Sequence, residues 1–119
     1  MQDRPDAPAL MAAVARFLRE QVLPATEGAL AFQVRVAANA LDIARRESLL
    51  APAAALQEAQ RLRGLLGDAT PADLGAANRL LCERIAADAM DLSTPGLLAH
   101  LRRTTADKIA VDQPGYDRE

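Results

Sequence analysis

Prolines and glycines divide this chain into stretches that hold almost nothing but helix-forming residues. Alanine, leucine and arginine dominate those stretches, β-branched residues are scarce, and there are only one Tyr, two Phe and no Trp. Ala, Leu and Arg are among the best helix formers, so local preference points to helix everywhere. A core lined by alanine also requires helices that approach closely, because small side chains leave little between the backbones.

The 119 residues leave room for one domain and one core. A chain of this size buries roughly two thirds of its unfolded surface, enough to fold without a metal or a disulfide. Apolar residues at helical spacing predict helices over about 8–22, 28–49, 52–66, 71–89 and 95–112, followed by an irregular C-terminal tail. The expected architecture is therefore all-α: a single-domain, antiparallel bundle of four to five helices.

The punctuation fixes the boundaries. Leu10, Val14, Phe17, Leu18 and Val22 give the first helix one apolar face, and Pro24 and Gly28 close it. The second carries two stripes, Leu30, Val34, Ala37, Leu41 and Ala44, then Phe32, Val36, Ala40 and Ile43, the pattern of a central helix. Pro52 is expected to break the pattern and open a third helix at its first position. An unbroken helix from Gly28 to Leu66 would approach about 60 Å, long for a compact domain of this size. The third helix buries Leu56, Ala59, Leu62 and Leu66. Thr70-Pro71-Ala72-Asp73 is a start signal, with Thr70 as cap and Asp73 at the positive end of the dipole. The fourth helix then buries Leu74, Ala77, Leu81 and Ile85. Ser93-Thr94-Pro95 opens the fifth, which buries Leu98, Leu101, Thr105 and Ile109.

Charge and composition narrow the function classes. A formal net charge of −2 argues against general nucleic-acid binding, which needs a basic excess. No stretch approaches the roughly 18 apolar residues that span a membrane. The polar opening Met1-Gln2-Asp3-Arg4-Pro5-Asp6 is unlike a secretory signal, and a cytoplasmic protein is expected. The lone cysteine, Cys82, cannot form an internal disulfide.

Catalytic signatures are missing: there is no G-x-S-x-G, phosphate loop, dinucleotide fingerprint or H-E-x-x-H. His100 is the only histidine. A Cys82–His100 nucleophile pair is conceivable, but Cys82 beside Leu81 reads first as a buried structural thiol, and the pair is a poor metal site. Neither a catalytic residue nor a cofactor or metal site is expected. His100 shares a helix face with Arg103, Thr104, Asp107 and Lys108, which reads as solvated or, more sharply, as a partner surface. Arg35 and Asn39 lie one turn apart on the largely apolar second helix and need partners or water. Asp107 is the expected partner of Arg35, in a polar cluster linking the second and fifth helices. Arg45-Arg46, Arg61 with Arg63, and Arg102-Arg103 suit phosphate in residue type, but adjacent helical residues do not share a face. Tyr116, the only tyrosine, is a candidate partner contact beyond the last helix.

Three stretches carry a resemblance. They are Met1-Gln2-Asp3-Arg4-Pro5, Phe32-Gln33-Val34-Arg35-Val36-Ala37-Ala38-Asn39-Ala40-Leu41 and Asp107-Lys108-Ile109-Ala110-Val111-Asp112-Gln113-Pro114-Gly115-Tyr116. The chain resembles, over nearly its full length, a family of short bacterial proteins of unassigned activity. Members are typically encoded beside an aminoglycoside-phosphotransferase-like kinase and an acyl-CoA dehydrogenase. The family is similar to the small accessory protein of levulinate-type catabolism, where the kinase phosphorylates a 4-hydroxyacyl-CoA and the small protein supports it. The resemblance implies a non-catalytic accessory subunit with that kinase as partner. Two other expectations stand beside it: a stand-alone homodimeric helical protein, and a module in which arginines hold the phosphates of CoA or an acyl-CoA.

Overall fold

A computed structural model describes residues 4–116. Those residues are mostly helical, with short turns between the helices and no strand among them. Four α-helices follow in order: α1 (Ala7–Phe17), α2 (Gly28–Leu66), α3 (Leu74–Ala86) and α4 (Leu97–Asp112). The chain divides into two compact units where a single domain was expected. The first comprises the residues up to Ala51 and those from Ala110 onward, and the second is Pro52–Ile109.

In the first unit, α1 starts where Asp6 accepts a hydrogen bond from the Ala9 amide at 3.0 Å, a side-chain cap on an orphan donor. It leads into a π turn over Leu18–Val22 and a 3-10 turn over Leu23–Ala25. The buried residues are small: Ala15 on α1, and Ala31, Val34 and Ala38 on α2. Of the expected first-helix face, Leu18 and Val22 are half-buried, but within α1 the buried side lies one residue away. Ala15 is buried and Met11 and Leu18 are half-buried, whereas Leu10, Val14 and Phe17 are exposed. On α2, Val34 is buried as expected, but Leu30, Phe32 and Val36 are exposed.

The expected break at Pro52 is absent, since α2 runs unbroken through it. A proline inside a helix removes one N–H and crowds the carbonyl four residues earlier, here that of Ser48. Ser48 is exposed, so water can serve that carbonyl. Burial also secures the helix on both sides of the proline, through Val34 and Ala38 before it and Leu62 and Leu66 after it. Tertiary burial thus outweighs the local signal to stop.

The second unit holds the larger core. Leu62 and Leu66 of α2, Ala77 and Leu81 of α3, Met90, and Leu97 of α4 form it, with Leu65, Leu74, Leu80 and Ile85 packed against it. The end of α2 is marked by Gly67, whose φ of +71° suits glycine. Arg84 donates to the Leu66 carbonyl at 3.4 Å, serving one of the carbonyls a helix end leaves open. The cap of α3 is Asp73, which accepts from the Ala76 amide at 2.9 Å. Thr70, the expected cap, instead donates to the Gly67 carbonyl and closes the 3-10 turn Gly67–Ala69. Between α3 and α4, Asp91 accepts from both the amide and the hydroxyl of Ser93, which holds its carboxyl below the usual range. Thr94 accepts from the Asp91 amide, so the Ser93-Thr94 signal folds a turn and α4 begins at Leu97.

Candidate functional site

Two polar clusters stand out, one in each unit. In the first unit the π turn presents Arg19 to α2. Its Nη2 lies 2.7 Å from the Asp42 carboxylate and donates to Asn39 Oδ1 at 2.9 Å. The Arg19 hydrogen bond, with its charge and those of Arg45 and Arg46, holds the Asp42 carboxyl below its ordinary value against the opposing effect of burial. Further along α2, Arg46 donates through Nε to the Val111 carbonyl at 2.7 Å, fastening the last turn of α4.

In the second unit, His100 is the one buried polar side chain among the described residues, only 2 % exposed. Its Nδ1 accepts from Arg61 Nε at 3.0 Å, and Arg61 Nη2 donates to the Thr104 hydroxyl at 3.3 Å. An imidazole accepting at Nδ1 is neutral and carries its proton on Nε2. Burial first, and the Arg61 charge second, hold its pKa below the ordinary histidine value, while Glu58 pulls the other way. The surrounding residues extend this seam. Arg103 donates to Gln57 and pairs with Asp107 at 3.2 Å, and Asn78 donates to Glu58 at 3.3 Å. The partners are neutral acceptors or single carboxylates, an arrangement that fixes helix position.

The residues singled out in the sequence fall as follows. Asn39 does find a polar partner, but it is Arg19; Asp107 is half-buried and pairs with Arg103. Arg35 and Lys108 are exposed, on α2 and α4 respectively. Tyr116 is 62 % exposed, its amide closing a turn on the Gln113 carbonyl. His100, expected on a solvated or partner-facing side, is buried. Cys82, expected to be buried, is exposed. Arg19 is a site residue that the sequence pattern does not single out, and Arg61, a phosphate-type candidate by residue type, instead serves His100. Arg61 lies four residues after Gln57 and one turn from Glu58, a polar stripe on α2 opposite no obvious partner, and that stripe was the available signal. Among the described residues, no group of three His, Cys, Asp or Glu is placed to hold a metal, and no helix is long and apolar enough to cross a membrane.

Fold and clusters together define an all-helical protein whose conspicuous polar groups tie helices to one another. The chain belongs to the family described as a domain of unknown function, DUF6285, whose model matches residues 24–116. No curated protein and no solved structure matches it.

Proposed function

We propose that this chain is a non-catalytic, cytoplasmic accessory subunit that binds and supports an aminoglycoside-phosphotransferase-like kinase acting on a hydroxyacyl-CoA. The kinase and its substrate class come from the resemblance of the three quoted stretches. The structural observation that supports a contact role is the amount of large apolar side chain left open. In the first unit Leu10, Val14, Phe17, Leu30, Phe32 and Val36 are each about half exposed or more, and in the second Leu56 and Leu92 are more open still. Monomeric proteins expose single apolar residues freely, but runs such as Leu10, Val14 and Phe17 at one-turn spacing mark surfaces that meet other proteins.

Each unit offers its own candidate contacts: Leu98, Leu101 and Lys108 of α4 in the second, and, separately, Arg35 and Tyr116 in the first. The mechanism is linkage. A partner that binds only the competent kinase conformation raises the population of that conformation in proportion to its differential affinity.

Self-association is the second reading. It is favoured by α1, Ala7–Phe17, whose only charged residue is Arg16 although three of its large apolar side chains are exposed. Co-expression with the candidate kinase separates the two. Co-elution of a hetero-complex supports the accessory role, whereas a homodimer that leaves the kinase behind supports self-association. Saturable CoA binding by the isolated chain in calorimetry would favour the CoA-binding module instead.

A further inference from the structure

The only histidine of the chain is buried at the junction of α2 and α4 inside the second unit, with a guanidinium as its hydrogen-bond donor. A guanidinium has five N–H donors and no acceptor, and it stays charged at any pH the fold survives. The contact at 3.0 Å therefore exists only while Nδ1 keeps its lone pair. A proton from solvent on Nδ1 removes the acceptor and sets a second cation against Arg61 at a buried position. Neither ring nitrogen could then accept, and Arg61 would have to turn away, taking its bond to Thr104 with it. Both α4 partners of Arg61, His100 and Thr104, lie one turn apart, so a single event loosens the same stretch of helix.

We propose that His100 is a proton-operated latch: neutral, it clasps Arg61 and holds the first half of α4 to α2 within the second unit; protonated, it lets that stretch open. The charged groups that bear on the imidazole are Arg61 and Glu58, both on α2. From α3, the uncharged Asn78 donates to Glu58. On α4 itself Arg103 and Asp107 neutralise each other. Glu58 is the one group that favours the imidazolium, and its carboxylate accepts from Asn78. The opening exposes Leu97, one turn before His100 and part of the second unit's core.

Having one histidine makes the test direct. The imidazole carbon proton of the full-length protein is followed by NMR from pH 8 to pH 4.5 while amide exchange is measured across α3 and α4. The expected midpoint lies below the ordinary 6.5. For each pH unit of that displacement, opening of residues 97–104, corrected for the intrinsic exchange rate, should gain about tenfold. His100→Asn keeps an oxygen acceptor near the position of Nδ1 and does not titrate, so its corrected exchange should stay flat over the same range. Arg61→Gln removes the facing cation, and the midpoint should move up. Exchange in α4 that ignores the imidazole titration, or a midpoint that Arg61→Gln leaves in place, overturns the latch.

Discussion

Arg19 and Asp42 form the shortest ion pair among the described residues, at 2.7 Å, and the same guanidinium nitrogen also serves Asn39. Because Arg19 sits on the π turn, this pair locks an irregular turn to a regular helix. Substituting Arg19→Ala should cost about 1–2 kcal/mol, the range for hydrogen bonds to a charged group, reduced by the partial exposure of both side chains. The pH dependence has a definite sign. The folded Asp42 pKa is depressed, so the unfolded state binds the proton first as pH falls. The contribution is therefore complete above the ordinary value of 3.8 and is lost as pH drops through the folded value. Denaturant melts of wild type and Arg19→Ala should differ at pH 7 and converge toward pH 2. A difference that persists undiminished at pH 2 would assign the cost to packing.

Pro52 distinguishes one long helix from two. At the first position of a new helix, Pro52→Ala would be neutral or slightly harmful, since proline suits that site. Inside α2 the same change restores an N–H and removes a ring clash, and should stabilise the protein by about 1–3 kcal/mol. A raised melting temperature is expected; an unchanged or lowered one would place a break at this residue.

The face of α3 was legible in full: Ala77 and Leu81 are buried and Leu74 and Ile85 pack against them. The faces of α1 and α4 are legible only in part: Leu18, Val22 and Ile109 are half-buried as expected, while the most buried positions lie one residue from the expected stripes. A search for large apolar residues finds Leu10, Val14 and Phe17, but α1 buries Ala15, whose small side chain suits close packing. On α4 the same search finds Leu98 and Leu101, while the buried positions are Leu97 and His100, the latter neutralised as a polar cost by Arg61. Asn39 was legible as a residue needing a partner, but Arg19 was not legible as that partner, because a π turn leaves no mark in a periodicity of 3.6. The continuity of α2 was hidden because burial far from Pro52 decides it.

Asp88 offers a stabilising substitution. It follows α3 with φ of +59°, the left-handed region that aspartate tolerates and glycine occupies freely. Its amide donates to the Ile85 carbonyl, a bond that glycine retains. Asp88→Gly should raise stability by about 0.5–1 kcal/mol, which thermal denaturation measures directly. A loss of similar size would show that the aspartate side chain contributes more than its backbone strain costs.

The accessory role stands or falls on the kinase. The purified kinase is assayed on a series of hydroxyacyl-CoA substrates with increasing amounts of this chain, beside a variant carrying Leu98→Glu, Leu101→Glu and Tyr116→Ala. The account predicts a rate that rises and saturates near equimolar chain, and a variant that folds but needs far higher concentration for the same effect. A kinase rate that is identical with and without the chain, across all substrates and with no complex by light scattering, would contradict it.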